Sequence, residues 1–155
     1  MSDLRQSFFD ELLKKAKKDK KIILLVCDLG FSFMEKFEKE LPDQIVNVGI
    51  AEQNAVGMAA GMAIAGLKPY IYSNSLFLAS RANEFIRNDV CHNNLNVTLC
   101  GTGAADFLGF THVQSPKDEA NRLLSTFPNL KIFNPINNTE LRQALVTKGP
   151  VFINL

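Results

Sequence analysis

Apolar and polar positions along this chain switch repeatedly between two rhythms. From Leu4 to Lys18, Phe8, Leu12, Leu13 and Ala16 recur at helical spacing while lysines fill the other face, which predicts an amphipathic helix. IILLVC, over Ile22–Cys27, is continuously apolar and of strand length, the pattern of a strand buried on both faces. Phe31–Leu41 reads as a short amphipathic helix closed by Pro42, and QIVNVGI around Val46 as a second strand. Ala51–Gly66 predicts a long Ala- and Gly-rich helix, with Gly66 as its stop. KPYIYS is a third strand, a helix follows over about 76–91, and NVTLC (Asn96–Cys100) is a fourth strand that leads into a glycine-containing loop over Gly101–Phe110. Ser115 as cap and Pro116 at the first helical position start a helix that runs through Leu124. KIFN around Ile132 is a fifth strand, Asn137 and Glu140 have capping-box spacing ahead of a helix through Val146, and VFINL is a sixth strand. Alternation of this kind predicts an α/β fold: a three-layer α/β/α arrangement on a mostly parallel six-stranded sheet, in one domain over residues 1–155.

Composition narrows the partners. Of 155 residues, 46% are apolar and 21% charged, enough to fill a core. A net charge of +1 gives no electrostatic reason to expect nucleic acid or an anionic membrane. The basic run Lys14–Lys21 reads as the solvated end of a helix. Cys27, Cys91 and Cys100 show neither CxxC nor metal-ligand spacing, so buried free thiols and no metal site are expected. The charged start MSDLRQSFF lacks the apolar core of a signal peptide, and no apolar run approaches the ~20 residues of a membrane span. The expectation is a cytoplasmic protein.

In parallel α/β folds ligands sit beyond the carboxyl ends of the strands. Asp28, Glu52, Asn74, Phe77, Gly103 and His112 fall there. Glu52, in GIAEQNAVGMAAG, opens a helix of small and apolar residues whose composition predicts deep burial. A buried carboxylate needs a partner, because an unpaired buried charge is expensive. On residue chemistry alone, a carboxylate merely favoured by the positive end of the helix is the commoner reading. Gly57 and Gly61 have GxxxG spacing, which in such a helix means close packing. CGTGAADFLG matches neither a Walker loop nor a dinucleotide fingerprint and reads as a turn. On residue chemistry alone Phe77 is a core residue, and His112 a surface or hydrogen-bonding histidine without triad or zinc spacing.

Taken together, the string NVGIAEQNAVGMAAGMAIAGLKPYIYS resembles the pyrimidine-binding (Pyr) domain of transketolases and 1-deoxyxylulose-5-phosphate synthases, and most of all that of split transketolases, whose halves are separate chains. The resemblance runs in order through CDLG, RANEFIRND, FTHVQSPKDEA, FNPINNTELRQAL and GPVFINL. It implies that the domain holds the aminopyrimidine ring of thiamine diphosphate. The family glutamate, here Glu52, then hydrogen-bonds a pyrimidine ring nitrogen and promotes loss of the thiazolium C2 proton. The resemblance further implies that Phe77 packs on the pyrimidine, that Asp28 lies near a domain interface, that Asn74 and Arg81 border the cofactor, and that His112 faces the sugar.

The chain departs from the family pattern in two places. Asn74 stands where a second aromatic is common, and a THAG-type segment appears as Gly101-Thr102-Gly103, followed by a shortened loop. No GDG…N motif, which in the family binds the diphosphate and Mg²⁺, is present. The resemblance thus implies a partner domain on another chain that binds Mg²⁺ and the diphosphate, this chain being either a subunit or a piece of a longer one, and a homodimer or heterotetramer. The implied reaction is transfer of a two-carbon ketol unit between sugar phosphates. Synthase or decarboxylase chemistry on a 2-oxo acid, or a non-catalytic structural role for a degenerate Pyr domain, are the alternatives.

Overall fold

A computed structural model describes residues 3–103 and 118–155. The elements in chain order are α1 (Leu4–Ala16), β1 (Ile22–Val26), α2 (Glu35–Glu40), a 3-10 turn (Pro42–Gln44), β2 (Ile45–Asn47), α3 (Glu52–Ile64), β3 (Lys68–Asn74), α4 (Ser75–Arg81), α5 (Asn83–Phe85) running into a π-helical segment (Ile86–Cys91), β4 (Thr98–Thr102), α6 (Glu119–Leu124), β5 (Lys131–Phe133), α7 (Asn138–Val146) and β6 (Val151–Asn154). The six strands form one sheet in the order β2-β1-β3-β4-β6-β5, and every pairing is parallel. The α/β/α expectation holds.

Strand alternation explains the continuous apolar runs. Successive side chains point to opposite faces, so Leu25, Ile71, Leu99 and Phe152 join one core cluster while Leu24, Val26, Tyr72, Cys100 and Ile153 join the other. The first cluster is covered by α3, α4, α6 and the π-helical segment, and the second by α1, α2 and α7. Two residues tie the α1 side together: the Lys15 ammonium and the Tyr70 hydroxyl both donate to the Leu145 carbonyl at the end of α7, at 3.0 and 3.1 Å. Cys27, Cys91 and Cys100 are buried and free, as expected.

Four readings need correction. The helix expected over 76–91 is broken after Arg81, where Asn83 Nδ2 donates to the Ala79 carbonyl at 2.9 Å. Mid-helix side-chain bonding to a carbonyl four residues back competes with the regular ladder. Gly101 belongs to β4, paired with Ser73, and not to a loop. A Cβ there would lie 2.6 Å from Ser75 Oγ and 2.7 Å from Ser75 Cα, so glycine lets α4 approach the sheet. Helix α3 is buried on one face alone: Ala55, Val56, Ala59 and Ala60 pack on the core, while Gly61 and Ile64 are exposed. Of the two GxxxG glycines, Gly57 meets the Phe85 ring, whereas Gly61 faces open space. The cap expected at Ser115 and Pro116 lies outside the described residues.

Candidate active site

The chain leaves β1 toward β2 on one side and then returns through α3 to β3 on the other, so β1 and β3 border a topological switch point. Such a point leaves a crevice at the carboxyl ends of the strands. A cavity of about 200 Å³ lies there, lined by residues that follow β1 (Cys27, Asp28, Leu29), Ile50 and Glu52 ahead of and within α3, Ser73 and Asn74 at the end of β3, and Phe77 and Arg81 of α4. Asp28, Glu52, Asn74, Phe77 and Arg81 are therefore brought together. His112 lies outside the described residues.

Local structure accounts for each position. Gly49, with φ +72°, turns the chain from β2 into α3 and sets Glu52 in the helix's first turn. Asn47 fixes the neighbouring β1 exit: its Oδ1 accepts from the backbone N–H groups of Asp28 and Gly49, at 3.2 and 3.0 Å. Asp28 itself sits at φ +50°, a left-handed conformation that Asp adopts more readily than most residues. Asn74 caps α4, its Oδ1 accepting from Leu76 and Phe77 N–H at 3.0 and 3.2 Å, and its Nδ2 donates to the Gly103 carbonyl at 3.2 Å. That cap aims the first turn of α4, and hence Phe77, at the cavity.

Glu52 is 2% exposed and both its carboxylate oxygens are engaged. Ser73 Oγ donates to Oε1 at 2.9 Å and Arg81 Nη1 donates to Oε2 at 3.0 Å. The expectation that this carboxylate needs a partner is met. The Arg81 guanidinium carbon also lies 3.8 Å from the centroid of the Phe77 ring, and this side chain is 42% exposed. Next to Glu52, burial pushes the Cys27 thiol up to about 12, reinforced by the Glu52 charge and opposed by a hydrogen bond with Ser73. Cys27 is therefore a neutral wall of the cavity and not a nucleophile.

Ser73 is the hydrogen-bonding neighbour of Glu52 that residue-level reading misses. Its signal is positional: it follows Ile71 by two residues in β3, so both project to the α3 side of the sheet. Among the described residues no cluster of three or more His, Cys, Asp or Glu side chains could hold a metal ion, and no helix is long and apolar enough to cross a membrane.

Comparison with known proteins agrees with this fold. A family model described as the transketolase pyrimidine binding domain matches residues 1–152. The 6-deoxy-6-sulfo-D-fructose transketolase subunit SqwH of Clostridium sp. (strain MSTE9) is 32% identical over 98% of this chain and 49% of its own length. An apulose-4-phosphate transketolase subunit from Actinobacillus succinogenes is 42% identical over 77% of this chain and 40% of its own. A solved structure titled a split gene transketolase, inactive beta4 tetramer, superposes with a TM-score of 0.82 at 32% identity, covering 97% of this chain and 50% of that one. The chain thus spans about half the length, or less, of the relatives it matches.

Proposed function

Since this chain belongs to the transketolase pyrimidine-binding domain family, we propose that residues 1–155 form one such domain and that it activates thiamine diphosphate for transfer of a two-carbon ketol unit between sugar phosphates. The observation that carries the reading is a buried carboxylate, Glu52, facing an aromatic ring, Phe77, across a cavity at the switch point of the sheet. The residues fit the implied group: a carboxylate that can exchange a hydrogen bond with a ring nitrogen, an aromatic face for stacking, and a volume of about 200 Å³ that suits a single substituted ring.

Each residue then has a part. Glu52 holds a proton at a pyrimidine nitrogen, and its burial makes that sharing far stronger than it would be in water. Ser73 fixes the carboxylate by donating to the other oxygen. Phe77 orients the ring, with Asn74 fixing the start of α4. Asp28 and Arg81 border the same cavity as cofactor-binding residues, and His112 faces the sugar. When bound, thiamine diphosphate supplies a carbon nucleophile that carries the two-carbon unit. The diphosphate and Mg²⁺ are held by a partner domain on another chain, an arrangement supported by the likeness to transketolase subunits and to a split gene transketolase. Assembly as a homodimer of this chain, or a heterotetramer with the partner, completes the site, and the protein works in the cytoplasm.

The test is hydrogen–deuterium exchange at thiamine C2, followed by NMR on this chain reconstituted with a GDG…N-bearing chain. Glu52→Gln should keep assembly and suppress exchange. Unchanged exchange in that variant would end the catalytic assignment of Glu52, and failure of the wild-type pair to exchange at all would favour a non-catalytic role.

A further inference from the structure

Arg81 makes, by itself, the two contacts that the proposed function requires of the aminopyrimidine. A guanidinium is flat, delocalised and rich in N–H donors. Here it lies 3.8 Å over the Phe77 ring and donates to Glu52 Oε2 at 3.0 Å. The Ser73 hydroxyl holds the other oxygen, which leaves Oε2 as the oxygen that takes its hydrogen bond from Arg81. An aminopyrimidine stacked on Phe77 and bonded to Glu52 would need the same ring face and the same oxygen. The two groups would compete for them.

We propose that Arg81 is a built-in stand-in for the pyrimidine, which competes with the cofactor ring for Phe77 and Glu52 and must swing outward to admit it. The inference rests on the Pyr-domain reading above and gives Arg81 a part other than that of a direct ligand. The geometry makes such a swing feasible. Arg81 is the last residue of α4, its side chain is 42% exposed, and the helical ladder breaks immediately after it. Its departure from the ion pair is therefore into water and not into the core. While it stays, it keeps a carboxylate that is 2% exposed from being buried without a cation, a situation that costs more than an exposed pair gains. The spacing of four between Phe77 and Arg81 on one helix makes the stack a property of α4 alone, while the ion pair reaches across to Glu52 of α3. A chain without cofactor thus keeps its Phe77 ring and its Glu52 carboxylate engaged, and cofactor entry carries the cost of releasing one stacked, charge-assisted contact.

The experiment uses the full chain with a 4-aminopyrimidine, the ring fragment alone, so that the diphosphate site plays no part. Nitrogen-15 spectra of the arginine side chains follow the titration in the wild type, Arg81→Ala, Arg81→Lys and Glu52→Gln. In the wild type the Arg81 Nε–H signal, displaced by the Phe77 ring current, should move to the position of a solvated arginine in step with saturation. Arg81→Ala should bind the fragment about tenfold tighter, the change that ~1.4 kcal/mol produces. Arg81→Lys, which keeps the charge without the planar stack, should fall between. Fragment binding by Arg81→Ala that is equal to or weaker than wild type would overturn the inference while leaving the Pyr-domain reading intact. So would an Arg81 signal that stays in place at saturation. If the fragment saturates none of the proteins, or binds Glu52→Gln as well as wild type, the pyrimidine site itself is refuted and the stand-in falls with it.

Discussion

Glu52 couples stability to chemistry through a single carboxylate, and the two can be separated by substitution. Gln at this position still accepts from Ser73, so Glu52→Gln should lose no more than ~1–3 kcal/mol of folding stability, the range for one compromised buried hydrogen bond. A neutral amide cannot hold the shared proton, so the rate of C2 exchange should drop by ~10²–10⁴. Denaturant titration beside the exchange measurement checks both halves, and a parallel collapse of stability would reduce Glu52 to a structural ion-pair partner. Cys27 offers a second residue-scale test. With its thiol pushed up to about 12 by burial and by Glu52, the thiolate is scarce at pH 8, and alkylation by iodoacetamide should be slow in the native chain and fast once it is unfolded. Rapid native alkylation would show that the cavity wall is more open or more polar than described.

Helices and strands with a strong local signature were legible in the sequence, and those set by neighbours were not. The capping box at α7 reads directly: Asn137 Oδ1 accepts from Thr139 and Glu140 N–H, each at 3.0 Å, and Glu140 reaches back to the Ile136 N–H at 3.1 Å. Asn137→Ala should cost ~0.5–2 kcal/mol, measured by thermal unfolding. β4 shows the opposite case. Gly101 and Thr102 carry no apolar run, yet they extend the strand because Ser73 and Asn74 of β3 pair with them. Gly101→Ala should destabilise by ~1–3 kcal/mol through overpacking against Ser75, whose Cα leaves no room for a methyl group. A fully stable variant would mean that α4 can retreat from the sheet. The break in α4 and the half-open face of α3 were hidden for a related reason: Asn83 acts through a carbonyl four residues back, and small residues announce close packing without saying on which side. In the site, Glu52 stood out by its burial among alanines, while Ser73 and Arg81 became legible as its partners only when α3, β3 and α4 were placed together.

The whole molecule responds to alkali through groups spread over both cores. Cys27, Cys91 and Tyr70 are each raised to about 12 by burial, from ordinary values of 9.0 for the thiols and 10.0 for the phenol. Raised groups stabilise the fold fully below their unfolded values and lose that contribution as pH climbs to the folded one. Stability to urea should therefore be flat up to about pH 9 and fall steadily toward pH 12. A flat profile over that interval would refute the burial of these groups. Self-association is expected at the same scale. The outer face of α3 presents Gln53, Gly61 and Ile64 with no charge among them, and Ile64 is 74% exposed. Gly61, which faces open space, lets a second helix come close, and an isologous pair is the simplest closed arrangement. A 13-residue helix is only ~20 Å long, too short alone to bury the ~1,200 Å² of a stable interface. Exposed Ile50, at the mouth of the cavity just ahead of α3, extends the apolar surface and would bring the contact up to the cofactor site. Sedimentation of the wild-type chain should show a concentration-dependent dimer, and Ile64→Lys should shift it to monomer with an unchanged circular dichroism spectrum, because the side chain supports no core. A wild-type chain that stays monomeric at high concentration, or a dimer indifferent to the lysine, would move the interface away from α3.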